Sequence, residues 1–97
     1  MLIVYLEKLN VFAKNHANAR KSIATWKSAT EEAIWRNKQD VLQDFRNAKM
    51  IAENRARFEI VHNTYRLIVK INYDAQIMQV RFIGTHTEYD RIDPATI

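Results

Sequence analysis

The spacing of apolar residues changes once along this chain, and that change restricts the fold more than any other feature. In YRLIVKINY, residues 65–73, Tyr65, Leu67, Val69, Ile71 and Tyr73 fall on one side of an extended segment. Arg66, Ile68, Lys70 and Asn72 fall on the other. Before it, Phe58 and Ile60 alternate with Arg57, Glu59 and Val61, with a turn expected at His62-Asn63. After a turn at Asp74-Ala75-Gln76, the same alternation predicts a strand with Met78, Val80 and Phe82 opposite Ile77, Gln79, Arg81 and Ile83. A weaker strand is expected over Lys49–Ala52.

The first half follows a helical period instead. Leu2–Leu6 is mostly β-branched and aromatic and predicts a short buried strand. From Glu7 onward Leu9, Phe12 and Ala13 share a helical face that Asn15–Asn18 interrupts. Asn18 is the expected N-cap of a second helix whose stripe is Ala19, Ile23, Trp26, Thr30, Ala33 and Ile34. Asn37 caps a third over Lys38–Phe45, with Val41, Leu42 and Phe45 turned inward. Trp26 and Trp35 suit a core better than a base-stacking platform, while His16 and His62 read as turn or surface residues. The expected fold class is α+β: an N-terminal strand, two or three helices, then three to four antiparallel strands with the helices on one sheet face.

With 97 residues, the chain has the length of one domain, 1–97, able to bury roughly 65% of its unfolded surface. It has no cysteine, which excludes a disulfide framework and thiolate metal sites. No apolar run approaches the ~20 residues that cross a bilayer. MLIVYLEKLN lacks a basic leader and a small-residue cleavage site, so the expected address is cytoplasmic.

The net charge of +4 is unevenly spread. Arg55 to Gly84 holds five basic residues against two acidic ones, and the balance then reverses through Glu88, Asp90 and Asp93. Arg66 and Lys70 share a strand face, with Arg81 expected on the neighbouring strand. Like charges on adjacent strands repel. Either an anion sits over them or each arginine pairs with an acid such as Glu59 or Asp90.

Chemistry concentrates in GTHTEYD, residues 84–90. His86, Tyr89 and Asp90 stand at i, i+3 and i+4 and share a side if the chain turns helically after Gly84. If it stays extended, His86, Glu88 and Asp90 do. Both geometries keep the imidazole near a carboxylate. Gly84, the sole glycine, is expected where the strand ends and the backbone needs angles other residues avoid. Other constellations are weak: there is no spaced ligand set for a metal, no glycine-rich phosphate loop, and no nucleophile elbow around Ser22 or Ser28. No cofactor is expected.

The stretch RFEIVHNTYRLIVKINYDAQIMQVRFIGTHTEYDRID resembles the signature region of HigB-type toxins, within the RelE/ParE superfamily of bacterial toxin–antitoxin systems. The matching elements are Asn63, Tyr65-Arg66-Leu67, the strand to Tyr73, Phe82-Ile83-Gly84-Thr85-His86 and Glu88-Tyr89-Asp90. One departure is His62, where the family pattern leads us to expect glycine. The resemblance implies a metal-independent endoribonuclease, an mRNA interferase that cuts messages on the ribosome and inhibits translation. It also implies a neutralising helix-turn-helix antitoxin of HigA type. By that resemblance His86 is a general acid or base, Tyr89 stacks or donates, Asp90 orients His86 or acts as base, and Arg66 and Arg81 hold the scissile phosphate. Lys70 and Arg57 are further cations for RNA. Rival readings are a ParE-like gyrase inhibitor and a non-catalytic RNA-binding module.

Overall fold

The computed structural model describes residues 1–97. In chain order the elements are β1 (Leu2–Val4), α1 (Glu7–Asn15), α2 (Arg20–Glu32), α3 (Lys38–Asp44), β2 (Lys49–Ile51), β3 (Arg55–Ile60), β4 (Tyr65–Asn72), β5 (Ile77–Thr85) and α4 (His86–Tyr89). The result is an α+β protein with four helices and one five-stranded mixed sheet, compatible with a RelE-like fold. Strand order is β1-β5-β4-β3-β2. The strands β2 to β5 run antiparallel, and β1 pairs parallel to β5 through Leu2–Val4 and Ile77–Gln79.

The long apolar row becomes the core side of β4, with Tyr65, Leu67, Val69 and Ile71 all buried. Ala56, Phe58 and Ile60 of β3 and Met78 and Val80 of β5 extend that surface. Against it pack Leu9 and Phe12 of α1, Ile23 and Trp26 of α2, and Val41 of α3. Phe58 is the centre of an aromatic group, with ring centroids 5.5 Å from Trp26, 6.4 Å from Trp35 and 5.1 Å from Phe45. Offset and edge-on aromatic contacts of this kind add to the stabilisation from area burial alone.

Several expectations are corrected. The first strand stops at Val4 because Tyr5 is left-handed (φ 62°), and Tyr5 is exposed rather than buried. Asn18 does not cap α2. It lies in a 3-10 turn, Ala17–Ala19, and its side chain accepts from the Tyr65 hydroxyl at 2.9 Å. Helix α2 ends at Glu32, so Ile34 leaves the stripe and is exposed, and Leu42 of α3 is also exposed. Asn37 does cap α3, accepting from the Asp40 amide at 3.0 Å. His16 is more than a turn residue: its ring stacks on Phe12 at 3.8 Å and bonds the Phe12 carbonyl.

The largest departure is a bulge. Val69 pairs with Val80 and Ile68 with Phe82, which leaves Arg81 without a cross-strand partner. An extra residue in one strand reverses the facing of all that follows. Phe82 therefore leaves the side of Met78 and Val80 and joins Ile68, while Ile83 takes the core side opposite Leu67. Helix α4 closes this end of the sheet.

Candidate active site

The sheet face turned away from the core begins as a row of arginines. Across β3 and β4 the register sets Arg55 beside Lys70, Arg57 beside Ile68 and Glu59 beside Arg66. On β5, Gly84 lies opposite Arg66 and Phe82 opposite Ile68. Ile68 is fully buried yet stands apart from the core cluster. Together Ile68 and Phe82 form an apolar floor beneath the cations.

Gly84 has an ordinary backbone; no glycine has positive φ. Its lack of a side chain answers a steric need instead. A Cβ there would lie 2.7 Å from Phe82 Cζ and 3.2 Å from Glu88 Cβ. The missing methyl lets α4 fold back onto the strand. A capping box starts that turn: the Glu88 amide donates to Thr85 Oγ1 at 3.2 Å, and the Thr85 amide donates to Glu88 Oε1 at 2.9 Å. The backbone bond from Thr85, followed by its side chain, holds the Glu88 carboxyl below its ordinary range.

Because the chain takes the helical path, α4 carries both His86 and Tyr89 to the arginine row. The Tyr89 ring lies over the Arg66 guanidinium at 4.7 Å and near that of Arg57 at 5.7 Å. Phe82 flanks it at 6.4 Å. Beneath the ring, Nε of Arg57 and Nε of Arg66 are buried and lack a hydrogen-bond partner. Buried donors rarely go unpaired, and these two belong to adjacent cations. An anionic acceptor reaching them when the ring moves would satisfy both.

His86 meets Arg66 through Asn63. The imidazole Nε2 lies 3.2 Å from Asn63 Oδ1, and Arg66 Nη2 lies 3.5 Å from the same oxygen. A carbonyl oxygen only accepts, so Nε2 donates to it, and Nδ1 makes no hydrogen bond to the protein. Asn63 follows two left-handed residues, Val61 (φ 53°) and His62 (φ 54°), in the β3–β4 turn. His62 thus adopts the conformation that glycine takes most easily.

The predicted residues divide into two groups. Arg66, Arg57, His86 and Tyr89 come together. Asp90 caps the end of α4, its amide donating to the His86 carbonyl at 3.0 Å, and its exposed carboxylate makes no bond to the imidazole. Arg81 and Lys70 lie further along the face. Arg66 and Lys70 are about 14 Å apart at the rise of an extended strand. Arg81 bonds Gln79 Oε1 at 3.3 Å and the Ile97 main-chain oxygen at 3.2 Å. No carboxylate side chain accepts from Arg57, Arg66 or Arg81, so pairing with Glu59 or Asp90 does not explain the row. Asn63, expected at a turn and as part of the family signature, is brought to both His86 and Arg66, and its place just before Tyr65-Arg66 is the signal for it in the sequence.

A family model for HigB_toxin, the RelE-like toxic component of a toxin–antitoxin system, matches residues 19–92. The chain belongs to this family. The matched span includes Asn63, Arg57, Arg66, Arg81, His86 and Tyr89, and excludes β1 and α1. No curated protein matches the chain. As the toxic component of such a system, this HigB-family toxin has an antitoxin for a partner. None of its helices is long and apolar enough to cross a membrane.

Proposed function

We propose that this toxin is an endoribonuclease that cuts mRNA on the ribosome and so blocks translation, and that a HigA-like helix-turn-helix antitoxin neutralises it. The observation that carries the reading is the Asn63-bridged pair of His86 and Arg66, set beside Arg57 and under Tyr89. It joins a proton carrier to two cations with free donors, the combination that transesterification at a phosphate requires.

In this reaction the ribose 2′-oxygen bonds to phosphorus while the bond to the 5′-oxygen breaks. The 2′ proton goes to a base, and an acid returns a proton to the leaving oxygen. Arg66 and Arg57 bind the scissile phosphate as Tyr89 shifts from their guanidiniums onto a base of the RNA. A guanidinium fork grips two phosphate oxygens and stabilises the charge that grows on them. His86 moves a proton at Nδ1 while Asn63 fixes the ring, and positioned acid–base catalysis contributes about 10²–10⁴-fold. Asp90, exposed one turn after His86, is the second group of this turn able to take a proton. Arg81 and Lys70 serve the flanking strand.

The test maps mRNA 5′ ends after brief induction of the native chain, His86→Ala and Arg66→Ala. New ends inside translated codons, present for the native chain and absent for both variants, are expected. Intact messages alongside arrested growth would sink the nuclease reading and direct attention to another target, gyrase among them.

A further inference from the structure

The sheet face that carries Arg66 continues past Lys70 to the β4–β5 turn. There the register sets Lys70 beside Gln79 and Asn72 beside Ile77. A cleft of about 660 Å³ opens at this end, lined by these four residues together with Asp74 of the turn and Arg36 from the α2–α3 connection. Its volume falls in the range of about 300–1,000 Å³ that accepts small organic ligands. Arg36 reaches it from outside the sheet, so the cleft has a wall that the rest of the arginine row lacks.

The lining has the chemistry of a nucleotide on both sides. Two cations face one carboxylate, and neither cation is engaged: Arg36 bonds Asp40 Oδ2 only through its main-chain amide, at 2.8 Å, and the Lys70 ammonium is exposed. A guanidinium and an ammonium together suit a backbone phosphate. Asn72 Oδ1 accepts from the Ala75 amide at 3.0 Å, which fixes this side chain and leaves its two N–H donors without a partner. Beside it, half-buried Ile77 offers an apolar surface. A fixed amide next to an apolar surface suits the polar edge and flat face of an unstacked base. Lys70 lies about 14 Å from Arg66, about four phosphates at the 3.4 Å spacing of a stacked strand.

We propose that this cleft is a second nucleotide subsite for single-stranded RNA, in which Lys70 and Arg36 hold a backbone phosphate and the Asn72 amide meets a base lying on Ile77. The proposal rests on the nuclease reading for its choice of ligand. One strand then runs along the outer face of β4, with its scissile phosphate at Arg66 and a nucleotide about four positions away anchored at the turn.

The test uses the full chain and a 2′-O-methylated oligoribonucleotide of about ten residues, which binds without being cut. Arg36→Gln is expected to weaken binding about three- to ten-fold and to lower the slope of log affinity against log salt by about 0.7, the value for one single-strand phosphate contact. Arg36→Lys keeps the charge and should restore the slope. Lys21→Gln makes the same change of charge on α2, away from this face, and should alter neither quantity. Asn72→Asp keeps the acceptor for the Ala75 amide while replacing the two donors with an anion, so it should weaken binding at least as much as Arg36→Gln. Native-like binding by Arg36→Gln or by Asn72→Asp, an equal loss in Lys21→Gln, or no binding by the native chain would each overturn the subsite. Mapped mRNA ends with native-like binding by both cleft variants would overturn the subsite alone. Binding that depends on Arg36 and Asn72 in a chain that yields no mRNA ends would keep the subsite and remove the nuclease.

Discussion

His86 Nε2 donates to Asn63 Oδ1 at 3.2 Å, joining residues that stand 23 positions apart in sequence. The same oxygen takes Arg66 Nη2, so one amide sets the distance between a proton carrier and a cation. Asn63→Ala should lower mRNA cleavage by about 10- to 100-fold, part of what acid–base catalysis contributes, with little change in melting temperature. Asn63→Asp restores an acceptor and should recover a substantial share. Native-level cleavage by Asn63→Ala would show that the imidazole is placed by something else.

Gly84→Ala tests the close approach of α4. The new methyl would meet Phe82 Cζ at 2.7 Å and Glu88 Oε1 at 3.1 Å, so the aromatic floor and the capping box must both give. We expect a loss of about 1–3 kcal/mol, as for overpacking elsewhere, read from the urea midpoint. Cleavage should fall further than stability explains, because Phe82 flanks Tyr89. A variant as stable and active as the native chain would remove the steric account of this glycine.

Acid should weaken the start of α4. Hydrogen bonds from Thr85 hold Glu88 below its ordinary value of 4.5, so the folded state favours the charged carboxylate. The stabilisation is complete above the unfolded value and disappears as pH falls through the lower folded value. The melting-temperature advantage of the native chain over Glu88→Gln should therefore hold at about pH 7 and shrink as pH drops toward about 3. An advantage that stays constant across that range would contradict the assignment.

Phe58→Ala should cost about 3–5 kcal/mol in denaturant unfolding, since the ring is buried among Trp26, Trp35 and Phe45 and leaves a cavity. A cost below about 1 kcal/mol would mean that the neighbouring rings collapse into the space.

What the sequence made legible was whatever repeats locally. The alternation through Tyr65, Leu67, Val69 and Ile71 marked the core side of β4, and Asn37 announced α3 through the bond it makes three residues on. Contacts made at a distance left no such trace. Asn18 has the chemistry of a helix cap, but a tyrosine hydroxyl 47 positions away captures its oxygen. The GTHTEYD segment identified the imidazole and the ring of the candidate site, whereas their neighbours arrive from three strands that only the sheet register brings together. Gly84 was expected for its backbone freedom and is needed for its missing methyl. The unpaired Arg81 carries no compositional signature, so strict alternation carried Phe82 to the wrong face.

That unpaired residue has a consequence for how this part of the chain can change over time. Everything from Phe82 onward is phased by a count, not by the identity of any residue. Deleting Arg81 would restore an even ladder and leave Phe82 opposite Ile68 and Gly84 opposite Arg66, whereas deleting Ile83 with the bulge kept would turn Gly84 toward the helices and put Thr85 on the arginine side. No exchange of side chains downstream would undo that half-turn. A second change of length would be needed, placed before α4 begins. The end of β5 therefore tolerates drift in spelling far better than drift in length.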